Sequence, residues 1–444
     1  MQNQSATRAG AAEADISPHH PQFLFGYPHV ERMSTGIHDP LLGSALYLER
    51  GGTRVILIAA DLIFVPRPVV LAARRRIFEA TGVPESHILI SASHTHSGPV
   101  TVDHASNADD PVVPAADPEY LALLENGLVN AGVDAVHAAD EAEIAEVVAD
   151  STGIGTNRRD PDGPAFHRVP VIAARRVSDR TMIGLLMVGS MHPTVLHEDS
   201  TLVSADFPAY TRFALKERHG PVPVVYHTGP CGNLSPRHVT RDNTFAEAER
   251  LGRQLGEAVD RALRDTRYAP IEHLEVRSGA VKPVPRTFPL KGEAEAALRR
   301  AEERYETLRR SGAPRQEVRT AEVDLFGARE TMTLSRLEAE GVLESFRSER
   351  TPAEIQVLRI GGFHFAGWPA EVFVEYGIEL QRRLPGTYII SVANGELQGY
   401  LVTPEAAAQG GYEASNALFA HTTGERMLDE TLRLLTADNR GARA

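Results

Sequence analysis

The chain has 444 residues, a formal net charge of −13, 42% hydrophobic residues and a single cysteine. That balance suits a folded protein with a large core, and it argues against nucleic acid or an anionic membrane surface as the main partner, since both favour basic patches. With Cys231 alone there is no intrachain disulfide framework and no thiolate zinc cluster, so a metal site must use histidine, carboxylate or phenol.

The opening "MQNQSATRAGAAEADISPHH" has no basic segment followed by an apolar one, and no run approaches the roughly eighteen apolar residues of a membrane span. The expectation is a cytoplasmic protein without stable membrane insertion, residues 1–10 being a disordered tail; a homo-oligomer is compatible with this. "SALYLERGGTRVILIAADLIFV" predicts two strands joined at Gly51-Gly52, and "PRPVVLAARRRIFEATG" a helix closed by Gly82. "SHILISASH" is a buried strand that ends at histidines. An amphipathic helix follows over 117–140, then strands at "VPVIAARRV" and "TMIGLLMVGSMHPTVL", and a helix at "NTFAEAERLGRQLGEAVDRALRD" capped by Asn243 or Thr244.

The composition then shifts. Residues 291–345 are rich in Glu, Arg, Ala and Leu and predict two long helices broken at "SGAP", a helical hairpin whose simplest role is a solvated structural excursion rather than a lid or subunit contact. Strands resume at "AEIQVLRIGGFHFAGWP" and "TYIISVAN", with helices at "EVFVEYGIELQRRL" and "GERMLDETLRLLTAD". The return to strands predicts one large α/β domain carrying an insertion, with polar residues at strand ends, where ligand sites in such folds lie.

In "ILISASHTHSGPVT", residues 88–101, His94 and His96 project to the same side of an extended chain. Such a pair can share one metal ion, or one can bind the ion while the other moves a proton. His192 ends a second strand of the same kind, and three imidazoles at strand ends can meet in one cleft, although a single histidine is more often a satisfied core or surface residue. Glu371, expected in the first turn of a helix, is a carboxylate ligand or a partner of the helix dipole. Tyr400 and Tyr412 sit in Gly-flanked loops and either enter a cleft or seal a turn. "GPCGNLSPR", residues 229–237, is a tight loop exposing Ser235, which holds a nucleophile, binds an anion or positions a ligand; it lacks the G-x-S-x-G pattern. Cys231 is most simply a small buried residue.

In order along the chain, "GYP…GIHDPLLGSALYL", "AADL", "SASHTHSGP", "TNRR", "MHPTVL…SADFPAY", "GPCGNLSP", "PAEVF" and "GYLVTPE…GGYEAS" resemble the catalytic domain of the neutral, non-lysosomal ceramidase family, over roughly residues 11–425 apart from the hairpin. The resemblance implies a single ceramidase-like zinc hydrolase domain over 11–435 with mixed sheets, followed by a tail at 436–444. It implies one catalytic zinc per chain held by His94, His192, Glu371 and Tyr400, with His96, Arg158, Ser235 and Tyr412 around the substrate. "PAE" stands where the family has P-G-E, "MHPTVL" looks like a bacterial branch of short homologues, and the family's C-terminal immunoglobulin-like domain and export signal are expected to be absent.

The expected activity is a zinc-dependent hydrolase that splits a linear, ceramide-like N-acyl amide of a small-molecule substrate. Ester or lactam cleavage would use the same site. A binuclear barrel amidohydrolase would need a bridging lysine, and the lysines in "ALKERH" and "AVKPVP" are poorly placed for it. The non-enzymatic alternative is a ligand-binding protein of the same fold.

Overall fold

The computed structural model describes residues 6–437. In the strands Leu42–Arg50 and Thr53–Ala60 successive side chains enter two different cores: Leu46, Leu48, Val55 and Leu57 one, Ala45, Tyr47, Ile56 and Ile58 the other. A strand apolar on both faces belongs in a middle layer. Gly51 and Gly52 close the expected turn at φ +58° and +85°.

These strands belong to a mixed eight-stranded sheet in the order Val224–Thr228, Met182–Gly189, Arg168–Arg176, Asp140–Asp150, Thr7–Asp15, Leu42–Arg50, Thr53–Ala60, Ile88–Ala92. Thr7–Asp15 and Asp140–Asp150 share only the pairs Arg8 with Glu141 and Ala9 with Asp140. The sheet bends there, and its halves face each other, bringing Leu46, Leu48 and Leu57 against Val171, Leu185 and Val225. Helices Arg67–Thr81 and Pro118–His137 cover the outer face of one half, Phe207–His219 and Phe245–Leu263 that of the other. A second sheet, ordered Leu274–Val281, Ala353–Ile360, Phe363–Gly367, Thr387–Ile390, packs beside this sandwich with helices Val374–Arg383 and Thr422–Thr436. Buried Arg74 ties the two sheets, donating to the Ile88 carbonyl at 2.7 Å and to Glu354 at 2.9 Å.

The architecture is the mixed α/β class expected. The sheet is open at both edges, which removes the barrel reading. Four differences are informative. Residues 7–10 are strand rather than tail, while 1–5 and 438–444 lie outside the described residues. The segment Asp140–Asp150 is an eleven-residue strand, although "DEAEIAEVVAD" is poor in strand formers; pairing of residues 142–150 with Arg168–Arg176 overrides that propensity. Glu371 is not in a helical first turn but in a two-residue strand, the helix starting only at Val374. The hairpin helices Lys291–Ser311 and Arg315–Ala339 form as expected, but the second is not a solvated excursion: Ala321, Leu325, Phe326, Glu330 and Leu334 are buried against the body. Among the described residues no helix is long and apolar enough to cross a membrane.

Candidate metal centre

His94 lies two residues beyond the strand Ile88–Ala92, at the left-handed φ of +71°. His192 lies three beyond Met182–Gly189. Glu371–Val372 pairs in parallel with Tyr400–Leu401, so Glu371 and Tyr400 are register partners on the opposite wall. The sandwich thus supplies the imidazoles, and the segments around the second sheet supply carboxylate and phenol.

His94 Nε2, His192 Nε2 and Glu371 Oε2 form a triangle with all three edges 3.1 Å. Backbone carbonyls orient both rings. His94 Nδ1 donates to the Ile63 carbonyl at 2.8 Å, and His192 Nδ1 to the Cys231 carbonyl at 2.6 Å, with the Leu234 carbonyl at 3.1 Å. A carbonyl only accepts, so each Nδ1 carries the proton and each Nε2 presents its lone pair to the same point. Two lone pairs and a carboxylate oxygen so close repel one another unless a cation lies among them. Tetrahedral zinc with bonds of about 2.0–2.1 Å spaces its ligand atoms about 3.3 Å apart, so the residues fit such an ion.

Protonation states agree with this. Burial, reinforced by the Arg158 charge, lowers His192 to about 4. Burial alone would raise the Glu371 carboxyl, but the facing imidazoles His94 and His192 outweigh it and hold the group well below the usual range. At neutral pH His192 is therefore neutral and Glu371 ionised. Tyr400 is driven well above its ordinary value by burial and by Glu371, so its phenol stays protonated in this setting.

His94, His96 and His192 could together hold a metal ion, their ligand atoms lying within 4.8 Å of one another. The tighter triangle includes Glu371 instead of His96, whose ring stands 5.2 Å from His94 and 5.6 Å from His192. We favour the triangle, because its three atoms already sit at ligand spacing. His96 Nδ1 donates to the Gly26 carbonyl at 3.0 Å, and its Nε2 is buried with no partner. Position 26 must be glycine for this contact: a Cβ there would lie 2.4 Å from His96 Nδ1, and the φ of +122° is one that L side chains rarely adopt. Burial and the neighbouring His94 and His192 hold His96 well below its usual pKa.

The other expected residues gather at the same cleft. Arg158 lies over the Tyr400 ring at 5.3 Å and donates to Glu413 at 2.8 Å, leaving Nη2 buried and unpartnered. The Tyr412 ring is 5.8 Å from that of Tyr400, and burial followed by Glu330 raises its phenol. Ser235 is not exposed, as expected of the loop, but 3% accessible; its Oγ accepts from the Arg237 amide at 3.3 Å, although its residue still lines the cleft. The loop "GPCGNLSPR" thus acts on His192 through its carbonyls.

Sequence reasoning passed over Tyr27, Arg237 and Arg319, which line the same cleft, and the hairpin residues Val323 and Phe326, which roof it. Arg237 closes the quoted "GPCGNLSPR" and was open to notice. Arg319 was hidden among the many charges of the hairpin.

The layered α/β fold is similar to that of neutral ceramidases. The crystal structure of neutral ceramidase from Pseudomonas aeruginosa is similar with a TM-score of 0.76 at 17% identity, covering 98% of this chain and 75% of that one. A ceramidase complexed with C2 matches with a TM-score of 0.74 at 17% identity, over 98% of this chain and 76% of that one. No protein-family model and no curated protein sequence matches the chain.

Proposed function

We propose that the protein is a zinc-dependent hydrolase of N-acyl amides. One observation carries the reading: the 3.1 Å triangle of His94 Nε2, His192 Nε2 and Glu371 Oε2, with both rings locked by carbonyls. The fold shared with ceramidases supports amide cleavage. His94, His192 and Glu371 would hold the ion, with Tyr400 as a weak fourth contact through a neutral phenol. Bound zinc supplies a water of pKa near 7 and polarises a carbonyl.

The chain's own groups then have definite tasks. His96, neutral and with a free Nε2, takes the proton from the attacking water and delivers it to the leaving amine. Arg158, anchored by its Nε bond to Glu413, donates its unpartnered Nη2 to the oxyanion that forms at the carbonyl, and the Tyr412 phenol is the second donor. Ser235 orients substrate by hydrogen bond.

The test is elemental analysis of wild type, His94→Ala and His192→Ala alongside turnover of an N-acyl amide series and matching esters. About one zinc per chain, lost in both variants together with amide cleavage, is expected. A wild type that takes up no zinc, or that cleaves esters and no amide, would refute the reading.

A further inference from the structure

The arginines that face the cleft are not alike. Arg158 meets Glu413 at 2.8 Å, and Arg319 meets Glu198 at 2.6 Å. Arg237 lines both the pocket above the histidines and the wider cavity of about 570 Å³ beneath the hairpin. Among the described residues no carboxylate ion-pairs with or hydrogen-bonds to its guanidinium.

A partly buried cation whose one acting carboxylate, Glu413, is already paired with Arg158 and Arg159 is costly to the fold, and the cost falls when an anion arrives. Burial and the neighbouring Arg158 lower Arg237 to about 10, so it is charged at neutral pH. The chain's net charge of −13 repels anions at long range. Attraction within the cleft therefore acts as selection rather than as general stickiness. Arg237 also sits two residues from Ser235, on the loop whose carbonyls hold His192. Arg237 also lines one pocket with His96, Ser235, Tyr400 and Tyr412, beside the candidate metal centre.

We propose that the cleft is built for an acidic amide, an N-acyl compound bearing a carboxylate that Arg237 binds. The catalytic half of this statement rests on the hydrolase reading; the binding half does not. A carboxylate on the amine part and one on the acyl part are the same chemistry to Arg237, and turnover separates them.

Binding is tested on the zinc-loaded protein with two ketones that cannot be hydrolysed, 4-oxodecanoate and 4-oxodecanamide, by calorimetry. The acid is expected to bind tighter by on the order of ten- to a hundredfold, the range of one charge-assisted hydrogen bond. Arg237→Gln should abolish the difference and Arg237→Lys should keep part of it, with melting temperatures confirming that both variants fold. Equal affinity for the two ketones, no measurable binding of the acid, or a preference that survives in Arg237→Gln would overturn the proposal.

Turnover of N-heptanoylglycine and of N-hexylsuccinamate, each against its neutral primary amide, provides the second arm. A higher kcat/KM for either acid, lost in Arg237→Gln, supports the proposal and assigns the side of the scissile bond. Equal turnover of acid and neutral amide would overturn it while leaving the hydrolase standing. Selective binding of the acid with no turnover of any amide would do the reverse.

Discussion

The floor and the roof of the cleft are built on different physical terms. On the floor, His94, His96 and His192 each donate one ring nitrogen to a main-chain carbonyl, at 2.8, 3.0 and 2.6 Å. The main chain has little freedom, so the ring inherits a fixed direction. In the roof, the helix Arg315–Ala339 is tied down by long charged side chains, Arg319 to Glu198 and Arg336 to Asp109, and by close contact of Gly327 with Tyr412, where an added Cβ would lie 3.3 Å from the Tyr412 ring. Partly exposed ion pairs contribute little each and tolerate movement. The floor is suited to holding atoms at ligand spacing, and the roof to covering a variable substrate.

The comparison breaks most visibly at Glu371. Glu371→Ala is expected to lose the zinc and to cut turnover by on the order of a thousandfold or more, since bound metal is worth several kcal/mol of transition-state stabilisation. Its circular dichroism spectrum should be unchanged, because the carbonyl bonds to His94 and His192 remain; an unfolded variant would mean that the metal is structural. Next in size is Tyr412→Phe, where the roof meets the floor. A lost oxyanion donor lowers kcat by roughly a hundredfold with zinc content and KM little changed; a loss confined to KM would place the phenol in substrate binding instead.

Acidity sharpens the contrast. Glu330 of the roof accepts a hydrogen bond from Asn416, and burial raises its carboxyl to about 8 against an ordinary 4.5. A folded value above the unfolded one means that folding takes up a proton. This contribution is complete below about pH 4.5 and is lost as pH rises through about 8. Glu330→Gln, which keeps an acceptor for Asn416, should therefore be more stable than wild type at pH 9 by on the order of several kcal/mol and nearly equal to it at pH 4.5. Denaturant melts at the two pH values check this, and equal stabilities at pH 9 would contradict it.

Much of the floor was readable because chemistry and periodicity coincide there. "SHILISASHTH" is an apolar run ending in two histidines, and "GLLMVGSMH" repeats the pattern. What joined them was not readable: the strands that carry them lie far apart in the sheet order and meet because the sheet bends at a two-pair junction. Glu371 was found through "PAE" but assigned to a helix, since nothing local announces a two-residue strand whose partner is Tyr400. The helix Phe207–His219 was missed although Asp206 caps it and Pro208 stands in its first turn, a pattern that marks helix starts. The roof was legible as helices and illegible as a roof. Its buried residues, Ala321, Leu325, Phe326 and Leu334, are diluted by charge, and which face is covered depends on where the hairpin folds back.

The backbone at His94 bears on how such a centre is maintained. At φ +71° an L residue costs roughly 1 kcal/mol over glycine, and β-branched Val392, at φ +46° on the facing segment, is strained in the same sense. Position 94 is thus one that backbone energetics alone would assign to glycine. His94→Gly should give a protein without metal that melts higher than His94→Ala by a few degrees, because only glycine relieves the dihedral. Backbone strain and the proposed metal role thus pull position 94 in opposite directions: glycine relieves the dihedral, and the same substitution removes the proposed ligand.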